Sequence, residues 1–398
     1  ITTPTAHSEG KLHSIKGGSV ADFDVVRGSA ATRVNAEGLI EDVATNIPRI
    51  DYTTGEGVVL LEPQSTNLFP YSEDFSVSDW SKNRVTINSN QNISPNNKLN
   101  ASKMIETAVS GNHQITKKAH SVNGSFTNSV FAKKGENNYL ILGIWDGSSE
   151  TIAWFDLENG LIGTVQGTST QTIEKFGDYY RCSVTFDISA SGGYELIGMS
   201  NTDGLRNYNG DGTSGVYIWG AQLEALSYPT SYIPTSGAIA TRLADSVTGA
   251  GDATTFNSTE GVLYAEIVAL VEADGARRFI TLNDGTSSNA VVLRYEETGV
   301  IHARYQIDGV AQCSMSFATT ITDTHKVAFK YAENDFSLWI DGVEVGVDGV
   351  GNVLATNTIN NIDFDSGNGN FPFYGKVKSL ITFDTALTDA ELECLTTI

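Results

Sequence analysis

Residues 325–346 read "HKVAFKYAENDFSLWIDGVEVG". Side chains alternate along an extended chain, so Val327, Phe329 and Tyr331 share one face, Phe336, Leu338 and Ile340 another, and Ala332 to Asp335 turn between them. Asp341-Gly342 then makes a two-residue hairpin into a third strand. Three strands closed by tight turns, with no helical period, predict an antiparallel β body over residues 241–398.

The same grammar extends toward the N-terminus. "TNSVFAKKG", "NYLILGIWDG", "ETIAWFDLENGLIGTV", "YYRCSVTFDIS", "YELIGMS" and "GVYIWGAQLEA" are strand-length apolar runs bounded by Gly, Asn, Asp and Ser. Asn159-Gly160 predicts a type I′ hairpin, because that turn needs positive φ at both central residues. Many evenly spaced strands favour two stacked sheets, each burying one face. The fold class is therefore all-β: two antiparallel β-sandwich modules of jelly-roll type, at 63–240 and 241–398, preceded by a short β-rich adaptor at 1–62. The adaptor's segments, Ala31 to Val34, Leu39-Ile40 and Val58 to Leu61, are too short to form a core alone and are expected to pack on a neighbour or on another chain. A single short helix is expected in "ALTDAELECL", where Thr388 caps and Glu391 returns the bond.

Residues 216–234, "VYIWGAQLEALSYPTSYIP", put four aromatic rings and two prolines beside one charged residue. Tyr217 and Trp219 alternate with Val216 and Ile218, so both sides of this strand are apolar, which predicts burial rather than a stacking platform. Tyr228 and Tyr232 are expected to pin a tether at the seam between modules. That tether, residues 228–251, carries Pro229 and Pro234 and is expected to cross a surface without joining a sheet.

The chain has 398 residues, 40% of them apolar, and a formal net charge of -22. Such a surface repels nucleic acid and anionic lipid, and the basic runs are only residue pairs. Cys182, Cys313 and Cys394 lie far apart without metal-ligand spacing, which predicts buried free thiols and no disulfide framework. No run of about 18 apolar residues occurs, and "ITTPTAHSEG" lacks secretory-signal character, so a soluble chain without membrane insertion is expected.

Three ordered segments, "ATRVNAEGLIEDVATNIPRIDY", "TNLFPYSEDFSVSDW" and "VYIWGAQLEALSYPTSYIPTSGAIATRLAD", resemble an arrangement in bacteriophage and prophage tail proteins in which a carbohydrate-binding-module-like jelly roll follows a short N-terminal region. Residues 252–398, through the "WIDGVEVG" hairpin and the closing helix, are similar to laminin-G-like, concanavalin-A-type sandwiches. The resemblance implies a virion tail component facing the host surface, a host glycan and other tail proteins as partners, and a homo-oligomer, often a trimer in such proteins. Fold alone does not settle function. A purely structural tail protein, a free bacterial carbohydrate-binding protein and a polysaccharide depolymerase are the alternatives.

Catalytic patterns are sparse. Concanavalin-A-type hydrolases place carboxylates as E-x-D-x-x-E, but "AEIVALVE" has Val268 and Val271 at the required acids, leaving Glu266 as a rim or solvent carboxylate and Glu272 at a turn. The six histidines (His7, His13, His113, His120, His302, His325) form no H-E-x-x-H pair, and His113 with His120 reads as a solvated pair. No nucleophile elbow or phosphate-binding loop occurs. The His302-Arg304 alternation suits a lyase cleft but more simply faces water. The chain is expected not to be an enzyme.

No cofactor is required by these patterns; calcium is the one they admit. "NYNGDG" spaces Asn207, Asn209 and Asp211 like half a calcium loop, though Ile218 stands where the bidentate Glu belongs. Asp363 and Asp365 offer a similar set, and the jelly-roll resemblance adds Glu73 or Asp74. Sugar binding needs an aromatic face flanked by planar polar groups. Trp145 with Asp146, Tyr208 with Asn209, and Asn370, Phe371 and Tyr374 in "GNGNFPFYG" are the candidates, because loops carry function more often than the patterned runs that hold Trp80, Trp154 and Trp339.

Overall fold

The computed structural model describes residues 7–8, 10–13, 22–119, 123–188, 193–272 and 275–398. His120 lies outside them. The protein is all-β apart from one short helix, and it divides into two compact units. The first, here the C-terminal unit, combines Ile1–Ala30, Val43–Pro63 and Leu243–Ile398; the second, the central unit, combines Ala31–Asp42 and Gln64–Arg242.

The C-terminal unit stacks a seven-stranded on a five-stranded antiparallel sheet. In the larger sheet Val327 pairs with Ile340, Phe329 with Leu338 and Tyr331 with Phe336, so the two apolar triplets lie on one face and enter one core. Asp341 (φ 53°) and Gly342 (φ 81°) form the two-residue turn between paired Ile340 and Val343. An identical Ile-Asp-Gly-Val turn at Asp308-Gly309 joins Val300–Ile307 to Val310–Ala318. Facing these residues across the sandwich are Ile280, Leu282, Leu293, Ala303 and Met315 of the smaller sheet.

Residues from the N-terminal lead-in are built into this body. Ile50–Asp51 and Val58–Leu61 add the last two strands of the seven-stranded sheet. Beside them, buried Arg27 donates to Asp245 at 3.0 Å, and buried Arg49 pairs with Asp245 and with Glu62 at 2.6 Å. Removing one partner from such a set leaves an uncompensated buried charge, so the network ties the lead-in to the strand region after residue 243.

The expectation for residues 228–251 is corrected. Ala240–Arg242 pairs with Ser65–Asn67, and Ser246–Thr248 pairs with Asp24–Val26. Beyond Pro234 the segment holds no proline, every residue has an N–H to donate, and Val247 and Ala250 are buried.

The central unit stacks two six-stranded antiparallel sheets around Phe75, Trp80, Phe126, Leu142, Phe155 and Ile197. In Gly215–Glu224, Val216 and Ile218 face this core while Trp219 faces outward. Gly220 then adopts φ 64° within a register shift against Gly124–Lys134, and the phase flips: Ala221 and Leu223 are the next residues facing in. Trp219 is nonetheless 0% exposed, packed under Ile40, Phe131, Tyr179 and Tyr232. The four-residue run after Glu150–Asp156 is not a type I′ turn. Only Gly160 (φ 68°) has positive φ there, and the Asp156 carboxylate accepts the Glu158 and Asn159 N–H groups at 2.9 and 3.1 Å, which stabilises a wider loop.

Cys182 and Cys313 are buried free thiols, but Cys394 is exposed, because it sits on the outer side of the helix Asp389–Thr396 whose Leu392 and Thr396 turn inward. Glu391 closes that helix's start, accepting the Thr388 N–H at 2.8 Å.

Candidate functional site

A groove of about 490 Å³ opens in the central unit, lined by Tyr71, Glu73, Asp74, Ser76, Ser89, Asn90, Asn100, Ser102 and Pro234 to Ser236. Four chain segments meet there for local reasons. The edge strand Val85–Ile93 bulges against Leu99–Glu106 between Asn88 and Asn92, and Asn90 takes φ 58°, a conformation asparagine tolerates better than most residues. Residues 71–76 are held from behind, where buried Trp80 donates its indole N–H to the Tyr71 carbonyl at 3.0 Å. Residues 234–236 are clamped by the Thr235 N–H on Ser72 Oγ at 2.8 Å and the Thr235 hydroxyl on the Phe69 carbonyl at 2.6 Å.

Chemically the groove divides into committed and uncommitted groups. Glu73 accepts the Tyr232 hydroxyl at 3.0 Å and Asn100 Nδ2 at 2.8 Å, which fixes the wall. Asp74 accepts the Ser76 N–H at 2.9 Å and its hydroxyl at 2.6 Å. The side chains of Tyr71, Ser89, Asn90, Ser102 and Ser236 make no side-chain hydrogen bond within the described residues. A half-buried phenol ring, packed in part on the core, and exposed Pro234 thus stand beside hydroxyl and carboxamide groups that make no side-chain hydrogen bond within the described residues, buried Ser102 among them.

The structure brings together two of the residues singled out from sequence, Glu73 and Asp74. The others lie elsewhere. Asp146 is committed to its own turn: it accepts the N–H groups of Ser148 and Ser149 at 2.8 and 2.7 Å, and those bonds, the Ser149 N–H foremost, lower its pKa to about 2. Trp145 ends the strand Tyr139–Trp145, half-buried. Tyr208 is not in a loop: it lies in the strand Asn207–Asn209 at 8% exposure, packs in a tilted arrangement against His113 with ring centroids 4.6 Å apart, and donates its hydroxyl to Glu106 at 2.6 Å. Only Asn207 and Asn209, on the opposite side of that strand, are exposed. Buried His113 is likewise not solvated, since its Nδ1 bonds the Arg84 carbonyl at 2.8 Å.

The carboxylate candidates for calcium are occupied by their own chain. Asp211 accepts the Thr213 and Ser214 N–H groups, both at 2.7 Å, and the Ser214 hydroxyl at 2.6 Å. Asp363 accepts the Gly249 N–H at 2.6 Å and Asn283 Nδ2 at 2.7 Å. Asp365 accepts the Gly367 N–H at 2.6 Å, while burial raises its pKa. Among the described residues no three His, Cys, Asp or Glu side chains converge as a metal cluster.

In the C-terminal unit Phe371 is 49% exposed, held at φ 53° with its ring 5.4 Å from that of Phe279. Arg278 lies 4.7 Å over the Tyr374 ring, and Asn370 is exposed beside them. Glu266, expected at a rim or in solvent, is 8% exposed and pairs with Lys378 at 3.1 Å. His302 and Arg304 do not simply face water: His302 is buried and Arg304 half-buried on the outer face of the five-stranded sheet.

Tyr71, Asn90, Asn100 and Ser102 were not singled out from sequence. The asparagine-rich "INSNQNIS" inside a strand was a signal of the bulge, but nothing local places it beside residues 71 and 234.

No family model and no curated protein matches the chain. Among solved structures it is similar to the Ruminococcus gnavus IT-sialidase CBM40 bound to alpha2,3 sialyllactose, at 17% identity over 37% of this chain and 93% of that one, with a TM-score of 0.32. Domain 4 of AbnA, a GH43 extracellular arabinanase from Geobacillus stearothermophilus, in complex with arabinotriose, matches at 12% identity over 42% of this chain and 81% of that one, TM-score 0.31. Mouse laminin alpha1 chain domains LG4-5 match at 9% identity over 71% of this chain and 90% of that one, TM-score 0.26.

Proposed function

We propose that the chain is a non-catalytic carbohydrate-binding β-sandwich protein acting outside the cell, with the Tyr71 groove as its saccharide site. The observation that carries this reading is the half-buried Tyr71 ring standing among four side chains, Ser89, Asn90, Ser102 and Ser236, that make no side-chain hydrogen bond within the described residues: an apolar face for a pyranose, with donors and acceptors around it for the hydroxyls. A glycan array probed with the intact chain and with Tyr71→Ala tests it. A saccharide that binds the native chain and loses about tenfold in affinity with Tyr71→Ala supports the groove, that factor being the scale of one aromatic contact. Equal binding by both proteins removes it.

The finer reading places the chain on a phage or prophage tail facing a host glycan. It is supported by the three ordered sequence segments at residues 31–52, 66–80 and 216–245. Detection in purified virions tests it, and absence there favours a free extracellular carbohydrate-binding protein. The non-catalytic reading is overturned if incubation with host polysaccharide releases reducing ends or unsaturated products. Calcium, with Glu73, Asp74, Asn207 and Asp211 as the candidates, is tested by thermal unfolding in calcium chloride against EDTA; an unchanged midpoint discards it.

A further inference from the structure

We propose that the outer face of the five-stranded sheet in the C-terminal unit binds a carboxylate-bearing saccharide, with Arg304 holding the carboxylate, Arg294 adding its positive field, and Ser314 and Ser316 meeting neighbouring hydroxyls. This rests on the saccharide reading above for its ligand class, but on different residues.

Strand register builds the face. Phe279, Arg294, His302 and Ser316 form one cross-strand row, and Thr281, Val292, Arg304 and Ser314 the next. Their sequence neighbours Ile280, Leu293, Ile301, Ala303 and Met315 point the other way, into the core. The face therefore gathers guanidinium groups on a chain whose net charge is -22. Arg294 lies 5.0 Å over the Phe279 ring and donates to Glu296 through both Nε, at 2.8 Å, and a terminal nitrogen, and Arg277 reaches the same carboxylate at 2.9 Å. One acid thus serves two arginines here, with Glu297 at 3.6 Å from Arg277 at the periphery.

Arg304 has no ion pair among the described residues. One of its terminal nitrogens donates to the Gly309 carbonyl at 3.2 Å, and its Nε is buried without a partner. His302, 9% exposed, bonds Ser314 Oγ at 3.0 Å through Nε2, while its buried Nδ1 has no partner either. His302 and Arg304 lie two positions apart on one strand and so share a face, which places both unpaired nitrogens in one patch of the sheet. The electrostatics agree: His302 is held down to about 4, first by burial and then by Arg294, with Arg304 and Arg277 adding to the effect and Glu296 opposing it.

Ligand class follows from shape and charge. A guanidinium fork matches the planar oxygens of a carboxylate. The protein's overall charge opposes long polyanions such as nucleic acid, whereas a short acidic oligosaccharide that stays within a screening length of the face meets mainly the local field. Exposed Ser314 and Ser316 extend the face with hydroxyls.

Calorimetric titration of the intact chain with tetragalacturonic acid, and with neutral maltotetraose, tests the proposal. The charged tetrasaccharide is expected to bind, more weakly as salt rises, with Arg304→Gln losing about tenfold or more, Arg304→Lys an intermediate amount, and Tyr71→Ala nothing. In native protein, whose folding is not in question, proton NMR should show the His302 pKa rising when the tetrasaccharide binds. The proposal is overturned by absent binding, by equal affinity for maltotetraose, by indifference to Arg304→Gln, or by equal affinity for a single-stranded oligonucleotide. Loss with Tyr71→Ala instead of Arg304→Gln also overturns it, while leaving the groove reading standing.

Discussion

Each unit has a sheet whose outer face is set by a regular strand, and the two faces end differently. In the central unit the outward residues Tyr217 and Trp219 are aromatic, and Trp219 disappears beneath Ile40, Phe131 and Tyr232, its ring 4.6 Å from that of Tyr232. In the C-terminal unit the outer face is mixed: Phe279, Thr281 and Val292 are buried at one side, and past Arg294, His302 and Arg304 the face opens to exposed Ser314 and Ser316. An apolar outer face draws local chain over itself, because burying rings gains more than leaving them wet; an arginine-lined face holds charge that resists such a cover. Trp219, which looks well suited to stacking a sugar, is therefore consumed by the fold, whereas the C-terminal face leaves Ser314 and Ser316 open to a ligand.

The contrast can be broken most forcefully at Trp219. Trp219→Ala should cost about 3–5 kcal/mol, because nothing solvent-exposed is lost and a sealed cavity is made. Urea denaturation reads this; a cost near zero would mean the ring is accessible and would reopen it as a platform. Gly220→Ala should cost about 1–3 kcal/mol, since the new methyl must sit at φ 64° and would meet Phe131 Cδ2 at 3.1 Å and Tyr232 Cε2 at 3.2 Å.

A smaller effect sharpens the other face. His302 titrates near 4 in the folded chain, below its ordinary 6.5. Between those values the unfolded chain binds a proton that the folded chain refuses, so stability contributed by neutral His302 is full above 6.5 and is lost as pH falls toward 4. His302→Gln should accordingly flatten the decline in unfolding free energy between pH 7 and pH 4.5, compared with the native chain under the same denaturant. An unchanged decline would show that the imidazole is freely protonated. Smallest of all, Arg304→Gln should shift stability by only about 0.5 kcal/mol, as expected for a residue with one hydrogen bond and no ion pair; a large loss would make Arg304 a structural strut.

Much of the architecture could be read locally. The Val327 and Phe336 triplets, the Asp341-Gly342 turn and the Thr388-Glu391 helix start each depend on residues within a few positions, and each forms. The Asn159-Gly160 turn failed because Asp156 competes for the same backbone donors. Site residues were far less legible. Asp146 and Asp211 have the composition of ligand-binding carboxylates and the hydrogen bonds of turn caps, and Tyr208 has the flanking asparagines of a sugar site and the burial of a core residue. Local chemistry does not distinguish a group that binds from a group already satisfied.

Alternation and turn chemistry, read along the chain, determined that this protein is a set of antiparallel sheets and that Trp219 lies inside, because side-chain period and turn dihedrals are properties of adjacent residues. Tertiary structure alone decided that residues 71, 90, 100 and 234 share one groove and that Arg294 and Arg304 share one face with Ser314, because strand register and loop convergence join positions distant in sequence whose types carry no mark of their partners.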